Sequence, residues 1–547
     1  MMEISYLKKY LGRLLNDKEL SFINAMKKSY NVQNLYNSEL KIIKNYSNTS
    51  TSSFLIATSK DDKRGIIGQN IIDSLGLKQI EILSDQNKKL YFGLERKKEE
   101  KQNPNLGFIF FIKRRYSKTL IKKIIRTKLI ISTSPVHKKG LGFSIYKLLK
   151  ENNCGLLMNI KSFSILYQKS INGLLLQVDN KSIEKFESLI LSNNIKSYKL
   201  GKLQRERVIK NDSKLNELVT LPMKIIDLAL NQNKVFDQDI MHQPNVNFLQ
   251  PKLKKKINFN MDLKKILNDI SNIKSINLFN VKKESYGYST HDIDYIKYDD
   301  YFMNAMALIS NASRKLICNG IIPECGTGYI SINKSNNSIK NSFLKGISLA
   351  VKYLNINMDY SVFIPSKSSL LGSFYVLGKK VINTHIDKEF NHSDHFISML
   401  GTHTGELGGS KYLSIYNNED LSNRPTVDLL TEQRLQNLII SAFQRNLIQT
   451  ASPVGEGGIA PTLVRLLSKS KNLGARISFS SKLSTPQILF GETQSIAIVS
   501  IKEADIMNLE RLCMSSGIPN TTIGRVTNDG IFSFNENIKI KVKDLFK

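Results

Sequence analysis

An internal repeat limits the folds open to this chain more than any other feature of its sequence. LIISTSPVHKKG at 129–140 is similar to LIQTASPVGEGG at 447–458, and a helix-like stretch follows each segment. Further along, ILYQKSINGLLLQV at 165–178 is similar to ILFGETQSIAIVSI at 488–501, at nearly the same spacing. A predicted helix and then a matching glycine follow both segments; the two glycines are Gly201 and Gly524. We therefore predict an α/β fold in which one unit (loop, helix, strand, turn, strand, helix, strand) occurs twice.

The composition is that of a folded protein from a reducing compartment. Of the 547 residues, 41% are hydrophobic, which is enough for several cores and excludes a disordered chain. The four cysteines are scattered and none stands in a CxxC pair, so we expect no disulfide framework. The sequence has no apolar run of about 18 residues and no signal-peptide pattern at its start. We therefore expect a cytoplasmic protein without a membrane partner.

The net charge of +32 arises from 79 lysine and arginine residues against 47 acidic residues. Such an excess is typical of nucleic-acid-binding proteins. Here lysine accompanies isoleucine and asparagine throughout, tryptophan is absent, and the basic runs lack the interleaved aromatic residues of a stacking platform. We interpret the charge as a compositional bias, expect no nucleic-acid partner, and interpret the basic run at 252–256 as linker. A basic nucleic-acid-binding protein stays open as a third alternative.

The two copies of the repeat differ where we expect the chemistry. In the second copy, Glu456, Gly457 and Gly458 place a carboxylate and backbone N–H groups ahead of a predicted helix, which suits a phosphate or a metal-bound phosphate. The corresponding segments of the first copy, 137–140 and 168–170, contain no acidic residue. The later turn of the second copy contributes three further polar side chains, those of Glu492, Thr493 and Gln494. The sequence therefore predicts the site in the second copy and a structural role for the first.

Four segments between about residues 261 and 542 carry a resemblance to a known family. They are DLKKILNDISNI (262–273), NAMALISNASRKLICNGIIP (304–323), GTHTGELGGSKYL (401–413) and the blocks from VDLLTEQRLQNLI through ASPVGEGGIA to ILFGETQSIAIVSI (427–501). In order and spacing they resemble the synthetase subunit of phosphoribosylformylglycinamidine synthase, of purine biosynthesis. The first half resembles the same family in fragments, at 11–26 and 129–203, and 53–94 has a distant likeness to the family's small partner subunit.

The resemblance implies a reaction and a set of binding residues. The reaction is the ATP-dependent amidation of formylglycinamide ribonucleotide, with ammonia derived from glutamine and with Mg²⁺ on the phosphates. A glutaminase subunit and a small accessory subunit are the implied partners. The residues implied for ATP are Glu456, Gly457, Gly458, Gly408, Gly409 and Ser410, and those implied for the small-molecule substrate are Glu492, Thr493 and Gln494.

Several positions depart from the family pattern. A functional histidine that follows the family's first helix has no counterpart at 27–30, a nucleotide-contacting acid falls on Gly328, and a histidine–aspartate pair falls on serine and proline at 452–453. The glycines of a further loop are lost at 359–361. The seven histidines show no metal-ligand spacing. We therefore assign no catalytic residue and no metal ligand, and a catalytically impaired or non-catalytic scaffold is the second alternative.

For the fold, the resemblance implies domains like those of aminoimidazole ribonucleotide synthetase. The predicted parts are a helical segment (1–50), a small α/β unit (51–106), the degenerate first copy (107–205), a linker (206–260), an N-terminal-type synthetase domain (261–375) and a C-terminal-type synthetase domain with the second copy (376–547). Family members pair two N-terminal-type domains, and the first of these is expected to be missing here. We therefore expect either a homodimer that pairs residues 280–375 across a two-fold axis or an exposed sheet edge.

Overall fold

The computed structural model describes two compact units. The first contains the described residues up to 231, and the second contains those from 258 onward. The described residues are 11–30, 51–59, 81–84, 88–96, 107–113, 124, 127, 129–136, 141–158, 166, 173–211, 219–231, 258–270, 276–281, 284–292, 301–333, 337–356, 362–366, 371–382, 384–416, 425–468, 472–535 and 537–546. None of the helices in these ranges combines the length and the apolarity needed to span a bilayer.

The described part of the first unit holds helices and two sheets. Its helices are α1 (Asp17–Tyr30), α2 (Leu141–Glu151), α3 (Ile183–Ser192) and α4 (Met223–Asn231). Its strands are β1 (Thr51–Ser59), β2 (Glu81–Ser84), β3 (Lys88–Arg96), β4 (Phe108–Lys113), β5 (Ile130–Pro135), β6 (Gly155–Met158), β7 (Gly173–Val178), β8 (Ser197–Gln204), β9 (Val208–Asn211) and β10 (Thr220–Pro222). One sheet has the order β1-β3-β2 and the other β10-β9-β6-β8-β4-β7-β5.

The described part of the second unit follows the same plan. Its helices are α5 (Phe259–Ile270), α6 (Tyr301–Ile317), α7 (Asn337–Tyr353), α8 (Lys411–Ser414), α9 (Leu429–Gln444), α10 (Ile459–Arg465), α11 (Thr485–Phe490) and α12 (Ile506–Ser516). Its strands are β11 (Asn277–Val281), β12 (Glu284–Asp292), β13 (Ile321–Asn333), β14 (Val362–Ser366), β15 (Leu371–Lys380), β16 (Phe396–Leu400), β17 (Ile448–Pro453), β18 (Gly474–Ile477), β19 (Ala497–Ile501), β20 (Asn520–Thr527), β21 (Ile531–Phe534) and β22 (Ile538–Lys541). The sheets have the orders β11-β12-β15-β13-β14 and β17-β19-β16-β20-β18-β21-β22.

The two seven-stranded sheets have the same topology, which confirms the predicted duplication. Counted from β5, the first sheet runs β5-β7-β4-β8-β6-β9-β10, and each strand has one equivalent in β17-β19-β16-β20-β18-β21-β22. In both sheets a single pair is parallel, β6 with β9 and β18 with β21. The register shifts also recur, at 130/132 and 448/450 and again at 109/110 and 397/398. The α/β fold class is therefore confirmed. The two copies also share their β-bulges, which are specific features of a fold.

The repeated glycine that ends both copies has a steric cause. A Cβ on Gly201 would lie 2.1 Å from the carbonyl oxygen of Leu157, and a Cβ on Gly524 would lie 2.1 Å from that of Arg476. Each glycine is paired on both sides, with β4 and β6 in the first copy and with β16 and β18 in the second, beside the register shift. Only glycine allows this close approach of two backbones.

Strand β4 of the first seven-stranded sheet and β19 of the second are covered on both faces and are therefore largely apolar. On β4, Ile109 and Phe111 join a core that also contains residues of α1, α2 and α4, whereas Phe110 and Ile112 join a core with Phe186 of α3. The second copy repeats this division between two cores. These layers place the loops that follow the strands at the ends of the sheet, where a site can form.

The small α/β unit predicted at 51–106 contains a three-stranded sheet, and the absence of the first N-terminal-type domain stays a prediction. Strands β1-β3-β2 are antiparallel neighbours, and they match the order and directions of β12-β15-β13 at the centre of the five-stranded sheet. Strands β1 and β2 each pair antiparallel with β3, so they run parallel to each other with β3 between them, as in the βαβ-type unit that the sequence pattern of 53–94 predicts. The helix predicted between them lies outside the described residues.

Three predicted domain boundaries are corrected by the structure. The linker predicted at 206–260 begins only after residue 231, because β9, β10 and α4 complete the first seven-stranded sheet and its core. The domain predicted at 261–375 does not begin with α5, because Leu263 and Ile266 of this helix pack into the core of the second copy. Strand β15 runs through the boundary predicted at 375.

A buried carboxylate anchors α1 to β10, an edge strand of the first seven-stranded sheet. Glu19 is fully buried, and its oxygens accept hydrogen bonds from the guanidinium of Arg13 at 2.7 and 2.8 Å, from the N–H of Thr220 at 3.0 Å and from the N–H of Asn16 at 3.1 Å. Burial alone would raise the pKa of Glu19. The hydrogen bonds and the charge of Arg13 outweigh it, so the pKa lies below its ordinary value of 4.5.

This arrangement predicts an acid sensitivity of the first unit. Because the pKa is lowered in the folded state, the stabilisation by Glu19 is present above pH 4.5 and is lost as the pH falls through the folded-state pKa. We expect Glu19→Gln to lower the free energy of unfolding at pH 7 by about 1–3 kcal/mol and to weaken its dependence on acid. Chemical unfolding of the full chain at pH 7 and pH 4, with hydrogen exchange of α1 and β10, measures both effects. An unchanged acid dependence in the variant would contradict the assignment.

Candidate functional site

Three loops of the second unit meet at one end of its seven-stranded sheet. Residues 401–410 follow β16, residues 454–458 follow β17, and residues 491–496 precede β19. Strand β19 runs antiparallel to both β16 and β17. The last residues of those two strands and the first residues of β19 therefore lie at the same end of the sheet. All nine site residues predicted from the sequence lie in these three loops.

The Glu492 carboxylate connects the three loops. Its Oε1 accepts hydrogen bonds from the N–H of Lys411 at 2.7 Å and from the N–H of Gly457 at 2.8 Å. The N–H of Glu492 itself donates to the carbonyl oxygen of Glu406 at 2.8 Å. The side chain is buried, with 7% of its surface exposed. Glu492 therefore holds the glycine loop and the start of α8 against the turn before β19.

Thr493 makes a second set of contacts within the same cluster. Its Oγ1 accepts hydrogen bonds from the N–H of Gly405 at 3.0 Å and from the N–H of Thr404 at 3.2 Å, and it donates to the Glu406 carboxylate. Gln494 folds back, with its Nε2 donating to the carbonyl oxygen of Glu492 at 3.3 Å. The two acids and the threonine thus form a connected polar network at the sheet edge.

The backbone of these loops requires glycine at several positions, of which Gly458 and Gly409 are two. Gly458 has a φ of 85° and a ψ of −158°, a conformation that is nearly exclusive to glycine, and a Cβ there would lie 2.6 Å from the carbonyl carbon of Phe490. Gly409 has a φ of 67° in the tight turn before α8. Ser410 follows as the N-cap of α8, its Oγ accepting from the N–H of Leu413 at 3.3 Å. Gly408 is buried in the same turn.

Local sequence signals place the helices around the site. Asp428 caps α9, accepting from the N–H groups of Leu430 at 3.1 Å and Thr431 at 3.3 Å. Ser484 and Gln487 form a capping box at the start of α11. The short α11 then delivers the chain to Gly491 and the turn that carries Glu492.

Glu456 is half-buried in the glycine loop and lies within electrostatic range of Arg465 on α10. Burial lowers the pKa of Arg465, and the charge of Glu456 offsets part of that effect. The N–H of Gly458 donates to the carbonyl oxygen of Gly455 at 3.0 Å. Together with the bond from Gly457 to Glu492, this means that two of the N–H groups predicted to receive a phosphate are engaged within the protein.

The sequence-based reasoning did not identify several buried groups near the site. Glu406 belongs to the resemblance segment but was assigned no role, although it accepts from Thr493. His403 is buried with its Nε2 2.9 Å from the carbonyl oxygen of Gln487, and burial lowers its pKa. Asp262 on α5 accepts from the Tyr416 hydroxyl at 2.6 Å, and burial raises the pKa of both. Single buried acids and histidines of this kind leave no local signal in a sequence.

The positions that depart from the family pattern lie in regular elements. Residues 27–30 form the end of α1, Gly328 lies on β13 opposite Phe374, and Ser452 and Pro453 end β17, paired with β19. Residues 359–361 lie outside the described residues. Within the described ranges, no group of three or more histidine, cysteine, aspartate or glutamate side chains is placed to hold a metal ion.

Comparison with known proteins agrees with the resemblance. Residues 397–535 match the family model "AIR synthase related protein, C-terminal domain". The chain is 24% identical over 246 residues to phosphoribosylformylglycinamidine synthase subunit PurL of Alkaliphilus metalliredigens, which covers 43% of this chain and 33% of the relative. It is 31% identical over 163 residues to the same subunit of Symbiobacterium thermophilum, covering 28% of this chain and 21% of the relative. The matched region thus spans a third or less of the length of these relatives.

A solved structure extends the likeness in fold to nearly the whole chain. T. maritima PurL complexed with ATP has a TM-score of 0.55 and 11% sequence identity, and covers 96% of this chain and 100% of that one. The predicted resemblance is therefore confirmed. The fold is similar to that of T. maritima PurL, and residues 397–535 match a C-terminal domain of the AIR synthase-related type.

Proposed function

We propose that this chain carries out, with partner subunits, the ATP-dependent amidation of formylglycinamide ribonucleotide, as in phosphoribosylformylglycinamidine synthase. One observation carries the proposal. Three loops, each within a segment that resembles the family, are joined by the buried carboxylate of Glu492, which accepts from Gly457 and Lys411.

The proposed chemistry assigns separate roles to the acids. ATP phosphorylates the amide oxygen of the substrate. Ammonia then adds to the carbon that carries this oxygen and displaces the phosphate. Glu492, Thr493 and Glu406 hold the loops rigid, so that groups around a polyphosphate are preorganised. Glu456 is the carboxylate we propose for the nucleotide side, where it would help to hold a Mg²⁺ ion that would neutralise phosphate charge. This ion commonly binds through one or two carboxylates and the phosphates of the substrate.

The assembly belongs to the same proposal. Ammonia is released from glutamine by a partner subunit, and a small accessory subunit joins the two. The five-stranded sheet ends in β11 and β14 among its described strands, so pairing of residues 280–375 between two copies stays the proposed homodimer. Light scattering of the purified chain measures its oligomeric state, and a monomer at all concentrations would contradict the dimer.

A specific observation favours a second candidate function, that of a non-catalytic scaffold. The family's acid and its histidine–aspartate pair fall on Gly328, Ser452 and Pro453, and all three lie on paired strands with no carboxylate or imidazole. Several groups that act together are therefore replaced at once, and losses of this kind are not additive. A scaffold that keeps the fold and the loops without turnover fits these replacements.

Calorimetric titration of the full chain with Mg·ATP and with formylglycinamide ribonucleotide tests the proposal. We expect micromolar binding of both, and we expect Glu456→Gln to weaken Mg·ATP binding by about tenfold or more, because the carboxylate proposed to bind the Mg²⁺ of the nucleotide is lost. Glu503→Gln, at an exposed position before α12, is the matched control and leaves binding unchanged. Folded protein that binds neither compound favours the scaffold, and retention on heparin without nucleotide binding favours the nucleic-acid-binding alternative.

A further inference from the structure

A fully buried ion pair joins the two domains of the second unit. Arg314 on α6 and Glu432 on α9 both have 0% of their side-chain surface exposed. Arg314 Nη2 lies 2.6 Å from Glu432 Oε2, and Arg314 Nε lies 2.9 Å from Glu432 Oε1. Helix α6 belongs to the domain of the five-stranded sheet, whereas α9 belongs to the second copy of the repeat. The pair is therefore a fixed connection between the two domains.

The remaining partners of this pair lie at the beginning of one site loop and at the end of another. Arg314 Nη1 is 3.4 Å from the carbonyl oxygen of Val454, the first residue of the loop at 454–458. The hydroxyl of Ser495, the residue after Gln494, donates to Glu432 Oε2 at 2.6 Å. Ser495 has a φ of 57°, an uncommon conformation for serine that needs support from its surroundings. The ion pair thus contacts the loops at 454–458 and 491–496, which are also connected to each other by Glu492.

The Glu432 carboxylate is saturated with donors. Besides Arg314 and Ser495, the side-chain Nε2 of Gln436 donates to Oε1 at 2.8 Å. The Ser313 hydroxyl in turn donates to Gln436 Oε1 at 2.8 Å, which adds a second bond between the same two helices. A network with this number of satisfied bonds has one arrangement and resists small displacements.

Stability alone gives a weak reason for such a pair. Desolvation of two charges offsets most of their attraction, so an apolar pair of similar volume commonly stabilises a protein as well or better. The placement of the pair accounts for it better. We propose that Arg314 and Glu432 are positioning residues, which hold the loops at 454–458 and 491–496 in register and make both loops follow the position of α6. This inference rests on the proposed function for its link to ATP, but its structural content can be tested separately.

The test replaces the pair by apolar side chains in the full chain. In R314M/E432L we expect a folded protein with a lowered melting temperature, because Ser495 and Gln436 lose a buried acceptor. We also expect hydrogen exchange faster by about tenfold or more at the amides of both loops, and about tenfold weaker binding of Mg·ATP. Ser313→Ala is the matched control, since it removes a bond between the same helices that touches neither loop. It leaves exchange in both loops unchanged. Ser495→Ala loosens only residues 491–496 and serves if the double variant fails to fold.

The outcomes separate this inference from the proposed function. Unchanged loop exchange in a folded R314M/E432L variant or in Ser495→Ala overturns the positioning role, whether or not ATP binds. Faster exchange in both loops of the double variant, with Ser313→Ala unchanged, supports it. If the unchanged chain binds no Mg·ATP, the proposed function fails, and the exchange measurement still decides the positioning role.

Discussion

Replacing Glu492 with alanine is expected to destabilise the second unit strongly. The substitution leaves the N–H of Gly457, which is buried, and that of Lys411, which is half-buried, without their acceptor. Each unsatisfied buried donor costs about 1–3 kcal/mol, so we expect a loss of about 2–5 kcal/mol in the free energy of unfolding. Chemical unfolding followed by circular dichroism, with hydrogen exchange at residues 455–458, measures the loss and locates it.

Glu492→Gln is the matched variant, because an amide oxygen can still accept from both N–H groups. We expect it to lie within about 1.5 kcal/mol of the unchanged protein and to bind Mg·ATP within a few-fold of it, since the carboxylate acts as an anchor of the loops. Equal losses in the two variants would show that the charge of Glu492, not its acceptor atom, is what matters. Loss of Mg·ATP binding in a stable Glu492→Gln variant would instead show that this side chain contacts the nucleotide.

The duplication could be predicted from the sequence because its steric requirements recur. Gly201 and Gly524 allow backbones to approach at the same bulge, and the SPV segments form equivalent edge strands. Such requirements restrict residue type strongly, so they persist when most of the sequence diverges. The order of the strands in the sheet could not be derived in the same way, since pairing joins residues far apart in the chain.

The parts that the sequence analysis assigned wrongly are short or weakly patterned. Strands β9 and β10 have four and three residues, too few for an alternation of apolar and polar side chains to be recognised. The sequence alone therefore predicts a linker there.

For the candidate site, the sequence indicated which residues lie there but not the role of each side chain. Glu492 looked like an acid available for a ligand, yet the structure shows that its Oε1 accepts from two N–H groups supplied by the other loops. Arg314 and Glu432 are separated by 118 positions, and nothing local marks them as a pair. Roles that arise only when distant segments meet require the fold before they can be assigned.

Gly458→Ala is expected to have a similarly large effect, by a different route. The residue has a φ of 85° and a ψ of −158°, and a Cβ would lie 2.7 Å from Phe490 Cα and 2.8 Å from the carbonyl oxygen of Gly491. Backbone strain of about 1–3 kcal/mol and overpacking of about 1–3 kcal/mol together predict a loss of about 3–5 kcal/mol in the free energy of unfolding. Because the added methyl group pushes against the segment before Glu492, we also expect faster hydrogen exchange at residues 491–496.

Gly455→Ala, three positions earlier in the same loop, is the control for the stability measurement. A Cβ at Gly455 has no heavy atom within 4 Å, so we expect this variant to unfold within about 0.5 kcal/mol of the unchanged protein. A loss confined to Gly458→Ala would show that the glycine loop is held closely against the turn that carries Glu492. If the two variants were equally stable, the loop would have to relax away from Phe490 and Gly491, and the bond from Gly457 to Glu492 could not be a fixed feature of the site.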